Sequence, residues 1–143
     1  MMRDKWMRFY RMSGRDKVLM FRAAGLLVAY TVSLRALGFK RTVIVSRSSS
    51  WSRFRALDQD EADFPARALA AVKRARRLLG VGTCLSCSLV TRSLLASAGI
   101  PADVRIGTRR SGATLDAHAW VEHRARSTRE TLDESYTPFP SRL

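Results

Sequence analysis

The residue types that perform covalent chemistry are scarce in this chain, which makes their positions informative. The cysteines and histidines number two each: Cys84, Cys87, His118 and His123. A Gly-rich turn leads into Thr83, a good N-cap, and apolar residues at helical spacing follow it. Cys84 is thereby predicted in the first helical turn, where free backbone N–H groups and the helix dipole favour a thiolate. Such a cysteine can act as a nucleophile, and the alternative is a small, packed hydrophobic residue.

The histidines lie five residues apart on one predicted strand, so they point to opposite faces of the sheet. His118 lies between two alanines and shares its face with Trp120, which indicates a tight, partly apolar site. His123 lies among charged residues and is predicted at the surface. A Cys–His pair needs a third group that orients the imidazole. Asp133, on the next predicted strand, is the first candidate, and Asp116, two residues before His118, is the second.

The same residues make a poor metal site. The C-x-x-C and H-x4-H pairs are separated by 30 residues, whereas a zinc finger has about 12 to 15 there. One strand also cannot aim both histidines at one ion. A thioredoxin-like interpretation of the cysteines requires a preceding βαβ pattern, and the preceding segment is helical. We therefore predict neither a metal nor a cofactor.

Helical signals dominate the first half of the chain. A helix is predicted from Arg15 to about Leu37, and a second from about Phe64 to Leu79, started by acidic residues and Pro65 and capped by Gly80. Between them, Arg41–Arg47 has either a strand or a continuing helix, followed by a Ser-rich linker at 46–52. The Cys84 helix is predicted to stop before Gly99 and Pro101.

The periodicity changes after Pro101 and favours a small antiparallel sheet. Its predicted parts are strands at 102–107, 117–123 and 130–134, a turn at 109–112, a loop at 125–128 and an irregular tail at 136–140. Helices followed by strands predict the α+β class. We expect one domain over residues 1–143, with a helical part at 1–80 and the chemical core at 81–143.

Composition limits the partners and the compartment. The 143 residues carry a formal net charge of +14, which predicts attraction to nucleic acid, acidic peptide or a lipid surface. No nucleic-acid recognition motif accompanies the charge, so we expect no specific nucleic-acid ligand. Two cysteines and no signal peptide predict a cytoplasmic setting. The uncharged span at 23–34 is shorter than the roughly 20 residues that cross a bilayer, so it predicts a core helix, with peripheral membrane contact as the alternative.

One family combines these features. The matching segments are Cys84-Leu85, Leu89, Leu94-Leu95, Ala98–Ala102, Val104–Gly107, Ala117–Glu122 and Tyr136–Phe139. In these segments the chain resembles the transglutaminase-like (papain-like) cysteine proteases, and more narrowly the leader peptidases of lasso-peptide biosynthesis, the B proteins in their split form. The resemblance implies a catalytic helix packed on a small antiparallel sheet. Cys87 occupies a position where the family pattern predicts a basic residue.

The resemblance also implies an activity and partners. It assigns Cys84 as nucleophile, His118 as general base and acid, and Asp133 as the acid that orients the imidazole. The implied reaction removes the leader from a precursor peptide that a separate small recognition protein delivers, before an asparagine-synthetase-like, ATP-dependent cyclase closes the ring. Two alternatives stay open: amidase or transglutaminase-type transfer by the same triad, and a non-enzymatic basic module that binds nucleic acid or membrane.

Overall fold

The chain forms an α+β structure in which the helices come first, as the sequence predicts. The computed structural model describes residues 12–48, 63–123, 126–127 and 136–139. The helices are α1 (Gly14–Ala36), α2 (Gly38–Ser48), α3 (Phe64–Leu79) and α4 (Cys84–Ser97). The strands are β1 (Ala102–Ser111), β2 (Thr114–His123), β3 (Arg126–Ser127) and β4 (Thr137–Pro138).

The core lies between the three longer helices and one face of the β1–β2 hairpin. Its apolar side chains come from five elements, represented by Leu27, Val72, Leu89, Val104 and Val121, each at most 2% exposed. Burying a side chain of this size contributes roughly 1.5 to 3 kcal/mol. Because the valines of the hairpin share this core with α4, the sheet and the cysteine helix are held together as one unit.

The ends of α3 agree with the predicted proline and glycine signals. Pro65 lies in the first turn of α3, and Gly80 ends that helix in the left-handed conformation with φ 64°. Ser13 precedes α1, although its side chain makes no capping hydrogen bond. The glycine ends α3 because a residue with a Cβ atom rarely adopts positive φ.

The segment Arg41–Arg47, which the sequence left open between strand and helix, belongs to α2. Thr42 and Val43 are buried, and Ser46, one helical turn later, donates a 2.7 Å hydrogen bond to the Val43 carbonyl. Ser46 also accepts from Arg92 Nη1 of α4 at 3.3 Å. The predicted linker is therefore wrong over 46–48, because packing continues the helix there, and its remainder lies outside the described residues.

In the described part of the chain, α1 is long and apolar enough to cross a membrane by length and composition alone, with mean hydropathy 1.5 over its most apolar window. Six of its residues nevertheless face the protein interior, Leu27 among them, as the core-helix prediction requires. Its opposite face carries an apolar row at intervals of three and four residues, here named the α1 stripe: Val18, Phe21, Gly25, Val28 and Val32. The four large members are between 44% and 61% exposed.

The hairpin is longer than predicted. β1 and β2 pair without interruption from Ala102↔His123 to Ser111↔Thr114, so the predicted turn at 109–112 is wrong over 109–111. The turn consists of Gly112, at φ 61°, and Ala113. A two-residue hairpin turn requires positive φ, which only Gly112 supplies readily, so the ladder extends up to that glycine.

Two short strands complete the sheet, whose order is β3-β2-β1-β4. The prediction of an irregular tail is wrong at 137–138: Thr137 and Pro138 pair with the free edge of β1, and Phe139 N donates to the Ile106 carbonyl at 2.9 Å. Proline is tolerated on an edge strand because its missing N–H need not join the ladder. The predicted loop at 125–128 contains β3, which pairs with the end of β2. The predicted strand at 130–134 lies outside the described residues.

Candidate active site

The start of α4 is held by a reciprocal cap. Thr83 has extended backbone geometry, and its Oγ1 accepts a 3.2 Å hydrogen bond from Ser86 N. Ser86 Oγ in turn accepts from Thr83 N at 2.8 Å. This capping box satisfies two amides that a helix start otherwise leaves open. It confirms Thr83 as the N-cap and makes Cys84 the first helical residue.

The cap leaves two amides beside the thiol. The Cys87 amide bonds the Thr83 carbonyl at 3.0 Å, and the amides of Thr83 and Ser86 are used in the capping box. Within the described residues, the amides of Cys84 and Leu85 have no hydrogen-bond partner. These two N–H groups carry the positive end of the helix dipole, and they are available to an oxygen anion.

A glycine lets this helix start approach α1 closely. Gly82 has φ 107°, and a Cβ atom added there would lie 2.9 Å from Leu27 Cδ1 and 3.3 Å from Ser86 Oγ. A larger residue there would be strained at this φ and would force the Leu27 side chain or Ser86 to shift. Cys84 itself is a free, half-buried thiol at this junction.

His118 lies on β2 opposite Gly107 of β1. Its half-buried ring stacks on Trp120, with centroids 6.4 Å apart and planes at 20°, and contacts the tilted ring of Tyr136 at 5.4 Å. Strand alternation places His118 and Trp120 on one face and the core residue Val121 on the other. The two histidines lie on opposite faces, as predicted, but the surface prediction for His123 is wrong: alternation puts His123 on the core side with Val121, where it is half-buried, and His118 on the other side.

A polar cluster fixes Tyr136 against the histidine. The Tyr136 hydroxyl donates to Asp116 Oδ2 at 2.6 Å, and Arg109 Nη2 lies 3.3 Å from the same oxygen. The Arg109 guanidinium also lies over the Tyr136 ring, 4.7 Å from its centroid. Asp116 thus contacts Tyr136 and Arg109, and through the tyrosine it affects the position of His118. Sequence reasoning missed this role of Arg109 because it placed the residue in a turn.

Gly107 makes room for the aromatic side of the site. A Cβ atom at this position would lie 2.7 Å from Trp120 Cη2 and 2.8 Å from the Thr137 carbonyl oxygen. Trp120, 4% exposed, therefore covers the glycine, and β4 passes directly beside it. Trp120 Nε1 donates to Glu122 Oε1 at 3.2 Å, which ties the indole to the strand.

We expect Gly107→Ala to destabilise the protein by about 1 to 3 kcal/mol, because the new methyl group overlaps a ring and a backbone oxygen that cannot both retreat. Urea unfolding measures the loss, and near-ultraviolet circular dichroism reports the displaced indole. Gly25→Ala is the matched control, since nothing lies within 4 Å of its Cβ position. That helical change is expected to be neutral or to stabilise by up to about 1 kcal/mol. Equal stability of the two variants would contradict the packing argument.

The structure brings the predicted site residues together only in part. Cys84 opens α4, His118 lies on β2, and these two elements pack against each other. Among the contacts of the described residues, no hydrogen bond joins the Cys84 thiol to the His118 ring. Asp133 lies outside the described residues. No group of three or more His, Cys, Asp or Glu side chains in the described ranges could hold a metal ion.

The fold and the site define a class: an α+β domain in which a cysteine opens a capped helix and a histidine lies on the sheet packed against that helix. The sequence model of the transglutaminase-like superfamily matches residues 24–141, and the chain belongs to that superfamily. This superfamily generally contains Cys-His-Asp enzymes of the cysteine peptidase type. No curated protein and no solved structure matches the chain. The broader part of the resemblance is thereby confirmed.

Proposed function

We propose that the protein is a cysteine peptidase that removes the leader from a lasso-peptide precursor. Superfamily membership over residues 24–141 supports cysteine chemistry. The narrower assignment is supported by the resemblance at Ala117–Glu122 and at Cys84-Leu85. The single observation that carries the proposal is the position of Cys84 as the first residue of a capped helix, beside two amides that no described residue engages.

In this reaction the Cys84 thiolate attacks the carbonyl carbon at the leader–core junction. The carbonyl oxygen becomes an oxyanion, which the free amides of Cys84 and Leu85 stabilise. The other amides of the helix start cannot contribute without breaking the cap. The amine of the core peptide then leaves, and water hydrolyses the thioester that remains on Cys84.

His118 acts as the proton carrier. It takes the thiol proton, protonates the departing amine and then activates water. The lengths of the elements support this pairing: the 14 residues of α4 span about 21 Å, and the five steps from His123 back to His118 span about 17 Å. Since the short Gly99–Pro101 connection turns the chain back along α4, these lengths put His118 at about the level of the Cys84 end of α4, while its ring lies on the sheet face opposite the core residue Val121. In apo enzymes such catalytic contacts are often long.

Asp133 is our choice for the carboxylate that orients His118, with Asp116 second. One observation favours this order. Asp116 Oδ2 is already engaged by the Tyr136 hydroxyl and by Arg109, so Asp116 serves the tyrosine that packs on the imidazole. The sequence predicts Asp133 on a strand next to that of His118, and a carboxylate in such a position would leave that cluster intact and reach the ring nitrogen that the thiol does not use.

The proposal includes two partners and a compartment. A separate small recognition protein presents the leader, and an asparagine-synthetase-like cyclase takes over the released core in the cytoplasm. The net charge of +14 favours an acidic leader. The alternative function is a basic binding module. For such a module, the α1 stripe favours a lipid surface over nucleic acid as the ligand, because its exposed apolar side chains lie beside the basic residues Arg15 and Arg35.

The test is reconstitution of the purified protein with a cognate precursor and its recognition protein, followed by mass spectrometry. We expect two fragments whose masses add up to the precursor plus one water. A product in which an amine has replaced the leader would indicate transglutaminase-type transfer instead. Intact precursor, together with salt-dependent binding to anionic vesicles or random nucleic acid, would support the binding module and contradict the peptidase.

A further inference from the structure

The first turn of α4 contains a second thiol whose position the proposed reaction does not use. Cys84 is the first helical residue and Cys87 is the fourth, so both side chains lie on one side of the same turn. Both are free and half-buried. Residues at this spacing contact each other along a helix, and the cysteines therefore form a pair.

The charge of Cys84 affects the pKa of the Cys87 thiol. Burial raises the pKa of the Cys87 thiol, the Arg76 guanidinium at the end of α3 lowers it, and the negative charge of Cys84 raises it. Burial is the largest of these effects, so Cys87 stays protonated at neutral pH. Cys87 is thus a neutral thiol held beside Cys84, and it does not compete as the first thiolate to react.

The start of α4 can accommodate a disulfide bond between Cys84 and Cys87. Cβ atoms three residues apart on a helix are about 5 to 6 Å from each other, and a disulfide requires about 3.8 Å. The first turn can supply this difference because Cys84 has no preceding helical turn and its amide makes no hydrogen bond among the described residues. The Thr91 hydroxyl, which bonds the Cys87 carbonyl at 2.9 Å, keeps the other partner in place.

We propose that Cys84 and Cys87 are a redox pair that forms a reversible disulfide within α4 when the protein meets a peroxide. The Cys84 thiolate attacks one peroxide oxygen, which gives a sulfenic acid and hydroxide. The sulfur of Cys87 then attacks the sulfenic sulfur, the S–S bond forms, and water leaves. The pair loses two hydrogen atoms and the peroxide becomes two waters. A dithiol reverses the bond by thiol–disulfide exchange.

The disulfide would have two effects on the candidate active site, and both rest on the proposed peptidase function. It removes the nucleophile while it exists, so the protein is inactive under oxidising conditions. It also protects Cys84, since a second peroxide would otherwise oxidise the sulfenic acid irreversibly to sulfinic acid. Transient disulfides of this kind are the form in which redox control occurs in reducing compartments.

The experiment treats the full-length protein with hydrogen peroxide and analyses tryptic peptides under non-reducing conditions. Cleavage after Arg77 and Arg92 leaves both cysteines in one peptide, residues 78–92. We expect that peptide to lose the mass of two hydrogen atoms, and dithiothreitol to restore both the mass and precursor cleavage. The Cys87→Ala variant should instead accumulate sulfinic acid at Cys84, and dithiothreitol should not rescue it.

Two results would overturn the redox pair: sulfinic acid at Cys84 of the unmodified protein without any disulfide, or the same reversible oxidation in the Cys87→Ala variant. The mass readout needs no substrate, so the two proposals fail separately. If the disulfide forms but the reduced protein never cleaves a precursor, the redox pair is supported and the peptidase function is contradicted. Ser88→Ala is the control for a small change in the same turn.

Discussion

Replacing Cys84 by alanine is expected to abolish precursor cleavage, with a fall in kcat on the order of 10⁵-fold or more, as loss of the nucleophile causes in other acyl-transfer enzymes. The physical reason is that the proposed acyl intermediate forms on the Cys84 sulfur, beside the amides of Cys84 and Leu85, and alanine carries no nucleophile there. The rate is measured by mass spectrometry of the precursor with its recognition protein present. Thermal unfolding should be almost unchanged, because alanine is the best helix former and the capping box stays intact.

Cys87→Ala is the matched control for this prediction. It makes the same chemical change three residues further along α4, and it leaves the free amides at the helix start untouched. Under reducing conditions we expect its cleavage rate to stay within a few-fold of the unmodified protein. If Cys84→Ala retained cleavage while Cys87→Ala lost it, the nucleophile would have to be Cys87, and the mechanism given above would be wrong.

Replacing His118 by glutamine is expected to lower kcat by about 10³- to 10⁴-fold, because the thiol loses its base and the departing amine loses its acid. Glutamine keeps most of the ring's volume, so the packing against Trp120 and Tyr136 should survive. The steady-state rate with the same precursor measures the effect. The activity that remains should rise with pH, since hydroxide then takes the place of the lost base in deprotonating Cys84.

His123 provides the internal control for His118. The two histidines lie on the same strand, five residues apart and on opposite faces, and they are the only histidines of the chain. His123→Gln is expected to alter kcat by no more than a few-fold, although its half-buried position predicts some loss of stability. If His123→Gln lost most of its kcat while His118→Gln cleaved normally, the proton carrier would be His123 and the role given to His118 would be wrong.

The helix ends are the part of this structure that the sequence predicts best. Pro65, Gly80, Thr83 and Gly99 determine where α3 and α4 begin and end, and each acts within one turn of the residue concerned. Local backbone preference therefore suffices, and the placement of Cys84 at a helix start needed no tertiary information. Arg41–Arg47 shows the limit of local preference, because only the packing of Thr42 and Val43 distinguishes helix from strand there.

The sheet shows a different limit. The strand pattern of β2 was evident from alternation, and with it the shared face of His118 and Trp120. The length of β1 was not evident, because the position of the two-residue turn depends on which glycine adopts positive φ. β4 could not be predicted at all: a Thr-Pro dipeptide has no strand signal, and it becomes a strand only where the edge of β1 offers hydrogen bonds.

The amino-acid sequence alone therefore determined the three longer helices, the α+β class and the helix-start position of Cys84, because caps, breakers and periodicity act over a few neighbouring residues. Only the tertiary structure decided what surrounds His118. Tyr136, Arg109 and Asp116 meet there because β4 pairs with β1 and the hairpin register aligns Arg109 with Asp116. Contacts between residues 20 positions apart, such as Tyr136 with Asp116, follow from strand pairing, which no local preference encodes.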